Sequence, residues 1–106
     1  MQQDRILSTL GLAMKAGKIA SGEFSTEKAV KSHRAFLVIV SVEASENTKK
    51  MFRNMCSFYQ VPMYLYESKE TLGRAIGKQY RASLAVLDEG FAKSLIEKLK
   101  IADKTE

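Results

Sequence analysis

The chain has 106 residues, of which 45% are hydrophobic and 27% are charged, a composition typical of a folded domain and not of a disordered polypeptide. Its single cysteine and single histidine exclude an intramolecular disulfide bond and argue against a Cys/His zinc site. It has neither the apolar core of a signal peptide nor an apolar run of about 18 residues, which predicts a cytoplasmic protein without a membrane span.

The net charge of +5 is unevenly distributed along the chain. Residues 15–34 and residues 69–81 each carry a net charge of +3, so the other residues sum to −1. Two basic segments on a near-neutral remainder are typical of a surface that meets a polyanion.

The spacing of apolar residues predicts alternating helices and strands. The predicted order is helix 4–16, strand 18–21, helix 24–32, strand 35–40, helix 45–59, strand 61–66, helix 68–77, strand 82–87 and a last helix from 88 to about 99. Ser25 or Thr26 is expected to cap the second helix, and Ser45 and Asp88 the third and the last.

This alternation predicts an α/β fold, a three-layer α/β/α sandwich around a small mixed sheet of about four strands. The run AFLVIV at 35–40 is apolar throughout, which is typical of a strand buried on both faces. Residues 1–100 are predicted to form one domain, and residues 101–106 a frayed C-terminal tail.

No set of residues predicts catalysis, a cofactor or a metal. His33 has no evident nucleophile as a partner, and Cys56 falls on the apolar stripe of the third helix, so we interpret it as a buried, inert thiol. Asp88 and Glu89 are adjacent carboxylates, but a helix N-cap explains them more simply. The sequence therefore predicts a protein that is not an enzyme.

The segment SGEFSTEKAVKSHR combines a glycine, a helix start and several cations. The first backbone amides of a helix are unpaired and carry the positive end of its dipole, so they can meet a phosphate. Lys28 and Lys31 are three residues apart, so they share a face of this helix, and Arg34 lies three residues further on. The alternative is an ordinary strand-to-helix junction with surface lysines, in which Phe24 packs as a hydrophobic staple.

A second candidate segment, Lys78–Arg81, is predicted as the loop before the last strand. It combines two cations, an amide and an aromatic ring. Tyr80 could stack on an unpaired base, and Arg81 could contact a phosphate. The alternative is a surface turn with Tyr80 partly buried.

Four sequence blocks in this order and spacing resemble one known family: LGLAMKAGKIASGE, TEKAVKSHRAFLVIVSVEAS, VPMYLYESKETLGRAIGK and SLAVLDEGFAKSL. From about Leu10 to Leu99 the chain resembles the L-seven-Ae / L-thirty-e family of ribosomal proteins, specifically its small bacterial members. The resemblance implies an α/β/α sandwich that binds kink-turn RNA, a sharply bent helix with a bulge.

The implied site has two parts, Gly22, Glu23, Phe24, Ser25 and Lys28 at the second helix, and Lys78, Gln79, Tyr80 and Arg81 in the loop. Kink-turn binders typically carry an Asn-Glu pair after the glycine, where this chain has Phe24 and Ser25. Neither side chain can replace the contacts that Asn and Glu make to base edges. We therefore expect weaker kink-turn specificity.

These observations predict an RNA-binding protein without a cofactor, associated with the ribosome or another ribonucleoprotein. Its expected partner is structured RNA, either ribosomal RNA or another kink-turn-like RNA, and no DNA or membrane partner is expected. An alternative is a protein-interaction module whose basic face binds an acidic partner. A third hypothesis, an RNA methyltransferase, requires a catalytic domain for which the chain has no room.

Overall fold

The computed structural model describes residues 4–104. Within them the chain forms helices and strands in strict alternation: α1 (Arg5–Lys15), β1 (Ile19–Ser21), α2 (Glu23–Lys31), β2 (Leu37–Val40), α3 (Glu46–Tyr59), β3 (Met63–Leu65), α4 (Lys69–Ala75), β4 (Ser83–Val86) and α5 (Glu89–Lys104).

The four strands form one mixed sheet in the order β1-β4-β2-β3. Strands β2 and β3 are parallel, whereas β4 is antiparallel to both of its neighbours, β1 and β2. The C-terminal ends of β1, β2 and β3 therefore lie at the same end of the sheet as the N-terminal end of β4. Helices α2, α3 and α4 all begin at this end of the sheet.

Helices cover both faces of the sheet. In β2, Leu37 and Ile39 pack in a core with residues of α1, α4 and α5, whereas Val38 and Val40 pack in a second core with residues of α2 and α3. All four β2 side chains are fully buried, and each such burial contributes about 1.5–3 kcal/mol. The predicted three-layer sandwich and its doubly buried strand are thus confirmed.

Side-chain caps set the starts of several helices. Ser45 Oγ accepts from the Thr48 amide at 3.1 Å, and Asp88 Oδ2 accepts from the Phe91 amide at 2.9 Å, so both of these predicted caps are confirmed. At α1, Asp4 Oδ1 accepts from the Ile6 amide at 2.9 Å. These hydrogen bonds occupy donors that a helix start otherwise leaves unpaired.

The last helix extends further than the sequence pattern indicates. Helix α5 continues to Lys104, into the predicted tail at residues 101–106, and residues 105 and 106 lie outside the described part of the chain. The apolar stripe that predicted this helix ends at Leu99, which is buried, whereas Ile101 is exposed. No helix within residues 4–104 is long and apolar enough to cross a membrane.

Candidate nucleic-acid interface

Helix α2 begins directly after β1, and no side chain caps it. Gly22 has a φ of 91° and a ψ of 160°, a conformation that residues with a Cβ rarely adopt. Its amide donates to the carbonyl oxygen of Ser83 at 2.9 Å, which holds the helix start against β4. The first amides of α2 therefore combine the positive end of the helix dipole with the absence of a side-chain acceptor.

The expectation that Ser25 or Thr26 caps α2 is wrong. The helix already starts at Glu23, so both hydroxyl groups lie inside its first turn. Thr26 is fully buried, and its Oγ1 lies 3.4 Å from the Oγ of Ser83. Thr26 thus helps to pack α2 on β4, and Ser25 is exposed.

The basic loop, Lys78–Arg81, is anchored at both ends to α4. Gly77 turns the chain with a φ of 75°, and the Lys78 amide donates to the Gly73 carbonyl oxygen at 2.8 Å. At the other end, the Arg81 amide donates to the carbonyl oxygen of Lys69 at 3.0 Å. The position of the loop is therefore set by backbone hydrogen bonds.

Arg81 connects the basic loop to the start of α2. Its Nε donates to Ser21 Oγ at 3.1 Å, across 60 positions of sequence, and its Nη1 donates to the Tyr80 carbonyl oxygen at 2.7 Å. Ser21 is the last residue of β1 and immediately precedes Gly22. The two segments lie side by side, as the sequence hypothesis requires, because β1 and β4 are antiparallel neighbours. We call the start of α2 (Gly22–Ser25 and Lys28) and the basic loop (Lys78–Arg81) together the two-part surface.

Both aromatic rings of the two-part surface are exposed. Phe24 is 78% exposed, so it does not form the hydrophobic staple considered as an alternative. Tyr80 is 62% exposed, which is more than the partly buried ring of the alternative interpretation. Surface rings with cations nearby are the groups on which unpaired bases stack.

The remaining predicted side chains of the surface are polar and accessible. Glu23 is exposed in the first turn of α2, and Lys28 is exposed at the beginning of its last turn. Lys78 and Gln79 are exposed on the basic loop. Lys78, Gln79 and Tyr80 line a shallow depression shared with α4, where Glu70 and Arg74 form an ion pair at 2.7 Å.

Two predicted residues lie away from this surface. Lys31 is in the last turn of α2 and Arg34 follows it, about 12 Å along the helix from Glu23. Lys31 Nζ pairs with Glu27 Oε2 at 2.7 Å, and this hydrogen bond raises the pKa of Lys31. Arg34 Nε donates to Ser32 Oγ at 3.0 Å. The structure thus joins nine of the predicted residues and leaves these two at the far end of α2.

Two further residues position the site, Ser21 and Gly73, and neither was predicted from the sequence. Ser21 accepts the hydrogen bond that joins the two segments. Gly73 is buried in α4 against the basic loop, where an added Cβ would lie 2.6 Å from the Gln79 carbonyl oxygen. A glycine inside a predicted helix is itself a signal of close packing, because it costs about 1 kcal/mol relative to alanine.

The two side chains considered for catalysis, His33 and Cys56, both pack against other parts of the protein. His33 follows α2 with a φ of 61°, and its ring lies edge-on to Tyr59 with centroids 5.5 Å apart. Burial raises the pKa of the Cys56 thiol to about 11, so the thiol stays protonated near neutral pH. Among residues 4–104, no cluster of three or more His, Cys, Asp or Glu side chains could hold a metal ion.

Comparisons with known proteins agree with the resemblance drawn from the four blocks. Residues 4–96 match the sequence profile of the family described as Ribosomal protein L7Ae/L30e/S12e/Gadd45 family. The chain is 46% identical over 90 residues to RNA-binding protein YlxQ of Bacillus subtilis (strain 168), which covers 85% of this chain and 90% of that protein.

Two solved structures share the fold. A protein of unknown function from Bacillus halodurans C superposes with a TM-score of 0.90 and 38% identity, covering 92% of this chain and 99% of that one. The Giardia lamblia 15.5kD RNA binding protein superposes with a TM-score of 0.78 over 95% of this chain and 92% of that one. Its identity of 19% makes this second likeness one of fold alone.

Proposed function

The chain belongs to the Ribosomal protein L7Ae/L30e/S12e/Gadd45 family, and from that membership we propose that it binds structured RNA through the two-part surface. The proposed setting is a ribosome-associated ribonucleoprotein in the cytoplasm. The similarity to a Bacillus subtilis protein named as RNA-binding supports the same proposal.

The observation that carries the proposal is the hydrogen bond between Arg81 and Ser21. This hydrogen bond brings together two basic segments, neither of which indicates RNA binding by itself. Together they form one surface with two exposed rings. A surface that combines cations, rings and unpaired amides suits RNA, because phosphates and unstacked bases present complementary groups close together.

Each part of the surface has a distinct proposed role. The amides at the start of α2 and the ammonium groups of Lys28 and Lys78 contact phosphates. Phe24 and Tyr80 stack on bases that the RNA structure leaves unpaired. Arg81 positions the loop through Ser21 and presents the rest of its guanidinium group to the RNA.

We propose binding without catalysis. His33 and Cys56 are the usual types of acid, base or nucleophile, but His33 packs against Tyr59 and Cys56 is a buried thiol whose pKa is about 11. Neither lies on the two-part surface, so a bound RNA would not meet them there.

The first test separates phosphate contacts from stacking. We expect Lys28→Ala to weaken binding of all tolerated RNAs similarly and to reduce the salt dependence by about one phosphate contact. Tyr80→Ala should lose about 1–3 kcal/mol of binding free energy, whereas Tyr80→Phe keeps a stacking ring and should lose little. Affinities measured by titration at several salt concentrations give both quantities.

Lys93→Ala is the matched control, because it removes the same charge from an exposed position on α5. It should leave both the affinity and the salt dependence nearly unchanged. Equal effects of Lys28→Ala and Lys93→Ala would show that net charge, not the two-part surface, governs binding.

The second test addresses specificity for the kink-turn. Phe24 and Ser25 occupy the positions at which kink-turn binders typically read base edges with Asn and Glu. We expect the double variant Phe24→Asn with Ser25→Glu to gain affinity for a kink-turn RNA over a straight duplex, because it acquires those hydrogen-bonding groups. A strong kink-turn preference of the unaltered protein, with no gain in the double variant, would contradict the proposed weakening.

A further inference from the structure

We propose a second RNA contact at the far end of α2, where a base of a single-stranded segment stacks on Phe58. This inference depends on the proposed function and extends it, because it adds a separate surface and a separate kind of RNA segment. The structured part of the RNA occupies the two-part surface, and an unpaired strand leaving it runs down α2.

The first observation is a cluster of three rings, Phe58, Tyr59 and His33, which we call the ring cluster. Phe58 and Tyr59 are neighbours at the end of α3, with centroids 5.0 Å apart and planes at 78°. Tyr59 in turn contacts His33 at 5.5 Å and 68°. Phe58 is 79% exposed, so its ring is available to an incoming base.

The second observation is the charge beside the ring cluster. Lys31, which pairs with Glu27, and Arg34 are exposed on either side of His33 in sequence. On α3, Lys50 is also exposed and lies eight residues before Phe58, about 12 Å along the helix axis. A ring bordered by cations suits single-stranded nucleic acid, in which each base that stacks brings a phosphate with it. The charges therefore favour RNA over an apolar protein segment.

The third observation is a continuous path between the two surfaces. A groove runs along α2 and is lined by Phe24, Glu27, Lys28, Lys31 and Ser32. Within it, Glu27 is paired with Lys31. The helix spans about 12 Å, a short reach for an extended strand. RNA held at Phe24 can therefore follow α2 to the ring cluster without leaving the protein surface.

The experiment compares a kink-turn stem with the same stem carrying a short oligouridine extension at its 5′ or its 3′ end. For the unaltered protein, we expect one extension to raise affinity by about 5- to 150-fold, the factor equivalent to one stacked base at about 1–3 kcal/mol. Phe58→Ala and Phe58→Leu should both abolish that gain, because neither alanine nor leucine has a π face. Both variants should bind the bare stem as tightly as the unaltered protein does.

Leu12→Ala is the matched control, since Leu12 is a 58% exposed apolar residue on α1, on the other face of the sheet. It should keep the full gain. The midpoints of thermal unfolding are measured for all variants. Because Phe58 is exposed, we expect Phe58→Ala to fold normally.

The possible outcomes separate this inference from the proposed function. If neither extension raises affinity, or if Phe58→Ala keeps the gain, the inference is overturned, and in the first case the ring cluster is left for a protein partner. Failure of the bare stem, of other structured RNAs and of the extended stems to bind would overturn the proposed function, and this inference with it.

Discussion

At the scale of single residues, Gly73 positions the basic loop by having no side chain. Helix α4 passes so close to the loop that a Cβ at Gly73 would lie 2.6 Å from the carbonyl oxygen and 2.7 Å from the carbonyl carbon of Gln79. Both neighbours are backbone atoms, which cannot rotate away as a flexible side chain can. A side chain at residue 73 would therefore force the backbone of the loop or of α4 to shift.

We predict that Gly73→Ala shifts the basic loop and weakens RNA binding by more than its effect on folding explains. Overpacking of this kind costs about 1–3 kcal/mol of stability. Gly11→Ala is the comparison, because its Cβ would meet the Ala75 carbonyl oxygen at a milder 3.2 Å, away from the loop. Affinity and urea unfolding measured on both variants test this; normal RNA binding by Gly73→Ala would contradict it.

At the scale of the elements, one carboxylate fastens the start of α1 to the end of β3. Asp4 Oδ1 caps α1, and its Oδ2 accepts a hydrogen bond of 2.7 Å from the hydroxyl group of Tyr66. Burial of Tyr66 and its hydrogen bond to Asp4 both raise the pKa of the Tyr66 phenol above its ordinary value of 10.0. The folded state therefore favours the protonated phenol.

This shift predicts a loss of stability at high pH. A group whose pKa is higher in the folded state contributes its full stabilisation below its unfolded pKa, here the ordinary value of 10.0. That contribution is lost as the pH rises above this value. Tyr66→Phe should cost about 1 kcal/mol at neutral pH, through the lost hydrogen bond. Above pH 10 the gap between the two proteins should narrow. Urea unfolding of both proteins at neutral and alkaline pH measures this difference in stability. A difference that stays constant with pH would contradict a raised pKa of Tyr66.

At the scale of the whole molecule, the sequence predicts elements well and contacts between them poorly. The run at Leu37–Val40 is apolar at every position, a pattern typical of a strand covered on both faces. By contrast, no periodic pattern relates Ser21 to Arg81, because their contact arises from strand order. The missed cap at α2 has a similar origin, since the pairing of Gly22 with Ser83 is invisible in the local sequence.

The strand order also has a consequence for how the protein is made. Among residues 4–104, strand β1 is at an edge of the sheet and pairs only with β4, the last strand of that range. While synthesis is incomplete, Ser21 has no Arg81 to contact and the amide of Gly22 has no Ser83 acceptor. Closing this sheet requires contacts between distant parts of the chain, which form late in folding. A nascent chain that stops before β4 therefore lacks the contact that joins the two segments. Under the proposed function, it could not yet bind RNA through both segments at once.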